Sequence, residues 1–447
     1  MKNISDIKNR YYKSYNDILP NLPGLGLDWM KRLRDDAIKQ FHQDGFPDKS
    51  VEEWNVNSFK GLTDTFYMTQ QEDTYEVDYS SIEKKDAECL VRVIFHNGKI
   101  ISIDYDELPK GVQVNSLNFF IKNNSDFLKK KIKPANEYSE ARLSNIIDSR
   151  PQSIVVLNAA FHEDGAIIHI DKNIEVPGYI EFMHIGDYSE NSMKHIRSVI
   201  FLDKGSKCEV IENIQVHKNN NTVFTSDVTD IHLSEGSSLS YNRFIRGNSK
   251  NIHVNNVHAQ LDKGSEFICN SLINCDGQAR NEVRINLLGE HAISNVNVLM
   301  MGKNKSLHET LTKVKHATKN TKSLQVIRTI LDENSRGSFQ GKIRVEEGAD
   351  GTLAEMSGKS LLLSDQARVN AKPELEILAD DVKCSHGVTV GTLSKEQLFY
   401  LQSRGIPEHE ARKLLINSFS NTIISNFSNI LIKRAENFIL ENYNEND

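Results

Sequence analysis

Residues 201–212 read FLDKGSKCEVIE, residues 232–244 HLSEGSSLSYNRF and residues 260–272 QLDKGSEFICNSL. Each stretch sets an apolar residue, a charged turn, a glycine and a serine ahead of an alternating strand. Looser copies follow in VEEGADGTLAEMSG from 345 and LLSDQARVNAKPELEIL from 362. One strand-turn-strand unit returning every 25 to 30 residues or so is the mark of a β-solenoid, in which a coil that cannot bury its own face stacks on its neighbours. A β-sandwich also spaces short strands regularly, but it does not require the same glycine turn to recur. The expectation is a right-handed parallel β-helix over 151–391, with no amphipathic helix inside it.

The flanks read differently. Residues 1–150 form a helical and mixed domain. Trp29, Leu33, Ala37 and Phe41 make an apolar helical stripe that Gly45 and Pro47 end, and CLVRVIFHNGKIISIDY reads as a hairpin turning at Asn97-Gly98. Residues 392–447 read as a C-terminal helical domain. Ser394 and Gln397 have capping-box spacing, Gly405 and Pro407 separate two helices, and Ala411, Leu414, Leu415, Phe419, Ile423, Phe427, Ile430 and Leu431 trace an apolar stripe. Such a hairpin caps its own solenoid or packs on another protein.

Composition narrows the function. The 447 residues carry a formal charge of −7, which argues against a sequence-independent nucleic-acid surface. No apolar run approaches the ~18 residues of a membrane span and no secretory core opens the chain, so a cytoplasmic protein is expected. Five cysteines, Cys89, Cys208, Cys269, Cys275 and Cys384, are expected as reduced, mostly buried thiols. Cys269 and Cys275 lie too far apart along a strand, about 20 Å, for one metal. His217, His232, His253, His258 and His291 are scattered singly and read as hydrogen-bonded strand residues. GLGLDW lacks a preceding strand, and GTLAEMSGKSLLL has Leu353 where a phosphate loop needs glycine and continues as a strand. ATP binding on this chain is therefore not expected.

DDVKCSHGVTVG, residues 380–391, stands apart. On a strand Cys384 and His386 share a face about 7 Å apart, and thiolate with neutral imidazole suits iron and iron-sulfur centres. Two such residues alone do not establish a metal site. A polysaccharide-acting β-helix enzyme would need clustered carboxylates on one face, and Asp380 and Asp381 alternate to opposite faces. A purely structural solenoid, with both residues simply packed, is the third reading.

The stretch KPELEILADDVKCSHGVTVGTLSKEQLFYLQSRGIPEHEARKLLINSF, residues 372–419, resembles the SufB and SufD family of iron-sulfur cluster assembly proteins. RDDAIKQFHQDGFPDKSVEEW (34–54) and NGKIISIDYDELPKGVQVNSL (97–117) resemble its helical entry and middle segment. Asn55, Val56 and Asn57 depart from the basic residue, tyrosine and threonine often found there. SufB-like chains carry a cysteine where Gly358 aligns and EHEA where this chain has CSHG, so the resemblance is to the SufD branch. It implies a non-enzymatic scaffold that pairs with a SufB-like paralogue and docks the SufC ATPase through its C-terminal helices. It further implies that His386, with Cys384 beside it, contributes to a nascent Fe-S cluster at that interface. A reduced flavin in the assembled complex, and a homodimer in isolation, are the further associations it suggests.

Overall fold

The computed structural model describes residues 2–47, 51–54, 59–69, 84–132, 152–186, 191–215 and 221–444; Asn55, Val56, Asn57 and His217 lie outside them. Two sheets wind up as a parallel β-solenoid. Along sheet I the chain places Ala166–Ile170, Ser192–Leu202, Val223–Leu233, Asn251–Leu261, Gln278–Leu287, Leu307–His316, Arg336–Val345 and Arg368–Ile377 side by side. Sheet II runs from Cys89–His96 and Tyr179–Ile185 through Lys207–Ile214, Ser238–Gly247, Glu266–Cys275, Ile293–Gly302, Lys322–Leu331 and Leu353–Leu362 to Lys383–Thr392. Successive strands belong to alternate sheets, so each coil pairs with the next in parallel, Ser238 lying opposite Glu266 and Ile252 opposite Gln278. The expected period and fold class are the observed ones.

The recurring glycine and serine have separate jobs. Gly205, Gly236 and Gly264 take φ of 69°, 69° and 63°, the left-handed region that a side chain disfavours. Ser206, Ser237 and Ser265 are buried, and their hydroxyls donate back to the carbonyls of Asp203, Ser234 and Asp262 at 2.6, 2.7 and 2.7 Å. Two turns at the opposite corner, where the chain passes from sheet II back to sheet I, have a similar form without glycine. There Asn304 and Glu333 carry the positive φ, and Ser335 donates to the Asp332 carbonyl at 2.6 Å. These turns escape a glycine-based reading of the repeat.

Between the sheets, inward-facing Ile200, Val257, Ile285, Val210, Phe267, Val298 and Ile327 form one continuous core. Helices cover the outer faces. Asp28–Asp44 buries Met30, Arg34, Ala37, Ile38 and Phe41, leaving Trp29 and Leu33 only partly covered. Arg34 is fully buried because its guanidinium donates to the carbonyls of Ala160 and Pro23 at 2.9 and 3.2 Å. Gly45 ends the helix at φ 71°. The Asn97-Gly98 hairpin is present, with φ of 49° and 84°, joining antiparallel strands Cys89–His96 and Lys99–Asp104.

The segment expected as solenoid opens with a helix that has no polar face. Ser153–Phe161 is an α-helix, buried at every residue, that packs with Tyr15, Ala37, Phe41 and Met193 between the N-terminal helices and sheet I. It escaped a periodicity reading because an element enclosed on all sides shows no polar face. The Asn158 amide nitrogen donates to the carbonyls of Ile196 and Ser226 at 3.0 and 2.9 Å.

The C-terminal apolar stripe resolves into two helices, Glu408–Ile424 and Asn429–Asn444. Ile416, Ile423, Phe427, Leu431, Ala435 and Phe438 pack on Ile211, Phe244, Leu272, Leu299 and Val326 of sheet II. They cover the flank of the solenoid rather than its end. Leu414 and Ile430, assigned to the stripe, are exposed. Ser394 caps Lys395–Ser403 by accepting from the Gln397 amide at 3.2 Å. That helix buries none of its residues, and Phe399 and Tyr400 are 72% and 58% exposed.

Candidate functional site

Lys383–Thr392 is the last strand of sheet II and pairs on one side only, with Leu353–Leu362. The register sets Cys384 opposite Ala354, His386 opposite Met356 and Val388 opposite Gly358. Ala354 and Met356 belong to the inter-sheet core, so strand alternation turns Cys384, His386 and Val388 toward the interior side. Among the described residues no further coil stacks on this one. The chain leaves at Ser394 as a helix, so Cys384 is half-buried against the core while His386 is exposed. Burial pushes the Cys384 thiol up, against a lowering by its hydrogen bond to the Ala354 backbone. At neutral pH it is held as the thiol, and metal or sulfur chemistry there must first remove a proton. A Cβ at Gly387 or Gly391 would meet nothing within 4 Å, so this edge is open to another backbone.

The other thiols are enclosed. Burial pushes Cys89 up to about 12, Cys269 to about 11 and Cys275 to about 12, and raises Cys208 as well. Cys269 and Cys275 both face the core, as expected of packed thiols. Among the expected strand histidines, His232 bonds the Lys131 carbonyl at 3.1 Å and His253 bonds Thr225. His291 instead occupies a turn at φ 63°. Leu353–Leu362 is a strand, so GKS presents no helix terminus to a phosphate. At Gly358 a Cβ would lie 3.2 Å from the Phe339 ring and 3.3 Å from Val388, and a side chain there is tightly opposed.

Two groups were not singled out from the sequence. Inside the solenoid Glu212 accepts from the Tyr241 hydroxyl at 2.6 Å and from Arg243 Nε at 3.1 Å, while His184 Nε2 lies 3.1 Å away. The signal was available: in KCEVIENI and SLSYNRFI, Glu212 and Arg243 fall in phase with inward apolar positions. The second group, His169, Asp171 and Asp203, brings three donor atoms within 4.8 Å of one another. Among the described residues it is the one such trio; no third side chain of that kind joins Cys384 and His386.

Residues 184–419 match the family described as "SUF system FeS cluster assembly, SufBD core domain", and residues 5–181 match the SufBD protein N-terminal region. The chain belongs to the SufBD family. It is 25% identical to the iron-sulfur cluster assembly protein SufD of Escherichia coli K12 over 394 residues, 86% of each chain. The SufD of Bacillus subtilis 168 is 25% identical over 400 residues, 88% of each chain. A chloroplastic protein of Arabidopsis thaliana, ABCI7, is 26% identical over 275 residues, covering 60% of this chain and 58% of its own. The chain is thus a SufD-like member of a SufBD family concerned with Fe-S cluster assembly. No helix among its described residues is long and apolar enough to cross a membrane. What this SufBD chain presents on its last sheet II strand is one thiol and one imidazole.

Proposed function

We propose that this chain is a scaffold subunit of a cluster-assembly complex, in which its last coil meets a SufB-like paralogue. The nascent Fe-S cluster, as cargo, takes His386 and Cys384 from this side. The observation that carries the reading is the pair's place on a one-sided edge strand, facing the interior of a coil that no described strand of this chain closes. Arg368–Ile377 ends sheet I in the same way, so both sheets offer backbone donors and acceptors to an incoming strand. A second chain meeting this edge would supply further ligands. The same edges can be met by a second copy of this chain when the paralogue is absent. Phe399 and Tyr400, on a helix that buries nothing, together with exposed Leu414, form the surface on which a SufC-like ATPase docks. The phosphate-site chemistry that this chain lacks in its GKS stretch then belongs to that partner.

The test is anaerobic co-expression with SufB-like and SufC-like partners, followed by iron and acid-labile sulfide analysis of the purified complex. His386→Ala should leave assembly intact by size-exclusion chromatography and deplete iron and sulfide together. Unchanged cluster content in an intact complex would reduce the CSHG stretch to a structural edge.

A further inference from the structure

Far from the open end, the first coils carry a second set of donors. His169 lies on Ala166–Ile170, Asp171 directly follows that strand, and Asp203 follows Ser192–Leu202, its parallel neighbour in sheet I. His169 Nε2 stands 3.1 Å from Asp203 Oδ2 and 3.8 Å from Asp171 Oδ1. First-row metal ions bind nitrogen and oxygen at about 2.0–2.2 Å, which separates neighbouring donors by about 3.0–3.4 Å. The His169–Asp203 separation falls within that spacing, and the His169–Asp171 separation lies a little beyond it.

The imidazole is also held in place. Its ring stacks on Phe127 at 5.0 Å and lies 5.2 Å from Phe201, and the side chain is 15% exposed. Both carboxylates are more open, 36% for Asp203 and 50% for Asp171. One oriented imidazole and two accessible carboxylates give three protein ligands with room for water or another ligand. The cation that opposes a metal here is Lys131, whose ammonium sits 3.6 Å over the Phe201 ring and is drawn by Asp203.

We infer that His169, Asp171 and Asp203 form a binding site for a divalent first-row metal ion, separate from the cluster residues Cys384 and His386. The site goes beyond the assembly reading and stands whether or not that reading holds. It draws its ligands from two neighbouring coils, so an ion there ties the beginning of the solenoid together. The set has two carboxylates and no thiolate, which suits a single hydrated ion and not a sulfide-bridged cluster.

Cobalt(II) is the probe, added anaerobically to the full chain with any affinity tag removed. Calorimetry should show one equivalent bound at this site, and its visible spectrum should lack a thiolate-to-cobalt charge-transfer band. Asp171→Asn, at a half-exposed position, and Asp203→Asn should each weaken binding by roughly tenfold or more, with circular dichroism and thermal transition unchanged. Asp381→Asn, outside the trio, should bind as the parent does. The inference is overturned if millimolar cobalt does not bind, or if both trio variants bind as tightly as the parent. A charge-transfer band that vanishes in Cys384→Ser, with no second equivalent, would also overturn it by placing the metal at the other end.

Discussion

Glu212→Gln tests the solenoid's interior. The parent carboxylate is 5% exposed and accepts from Tyr241 at 2.6 Å and Arg243 at 3.1 Å, with His184 at 3.1 Å. Glutamine keeps the shape but leaves the Arg243 guanidinium, 1% exposed, without its counter-charge. Breaking a buried pair from one side costs about 3–5 kcal/mol. Arg243 still donates to Asn281 at 2.7 Å, so a loss of about 3 kcal/mol is expected. Urea unfolding at pH 7 should show it as a lower midpoint at unchanged m. Replacing both residues by methionine should cost less than the sum of the single changes, by about 1–3 kcal/mol. Burial alone would raise the Glu212 carboxyl, but the His184 hydrogen bond and Arg243 charge hold it down to about 2. Its stabilisation is therefore complete above the unfolded value of about 4.3 and is lost as pH falls through about 2. The gap between parent and variant should narrow below about 4 as Glu212 takes up its proton. A cost under about 1 kcal/mol at pH 7, or additive double substitution, would refute the assignment of this network as a coupled buried pair.

Asp227→Asn should act with the opposite sign. Burial pushes its carboxyl up to about 7, so the folded protein keeps a proton that the unfolded chain releases above about 4. Stability then falls as pH rises through that window, and unfolding series at pH 4 and pH 8 should find the variant gaining on the parent at the higher pH. Phe427→Ala removes a ring buried 5.7 Å from Phe244 and should cost about 3–5 kcal/mol. Hydrogen exchange should report the loss in residues 408–444 ahead of the solenoid; uniform loss would contradict a flank-mounted hairpin. Native-state alkylation should modify Cys384 alone, faster as pH rises because its thiol is held up. Modification of Cys269 or Cys275 at a comparable rate would mean that the core opens.

Much of this molecule was legible because its decisive features are local. A turn of glycine and serine repeats because positive φ and a short hydroxyl serve several of the turns from sheet I to sheet II, as at Gly205 and Ser206. Asn97-Gly98, Ser394 with Gln397, and Gly45 mark their own turns and caps for the same reason. The turns at Asn304 and Glu333 were hidden because another residue accepted the same backbone strain. Ser153–Phe161 was hidden because full enclosure erases helical periodicity.

The sequence by itself determined the solenoid, its coil length and the common face of Cys384 and His386, since alternation along a strand follows from backbone geometry alone. Tertiary structure decided that this strand is the last of its sheet, which leaves His386 open and Cys384 half-covered. It decided that the C-terminal helices lie along the flank, because the outer face of sheet II presents Phe244, Leu272 and Leu299 to them. It also joined His169 and Asp171 to Asp203, and Glu212 to Arg243, through the parallel stacking of neighbouring coils. Residues some thirty positions apart become neighbours only when one coil settles on the next, and that register is a property of the stack rather than of any single segment.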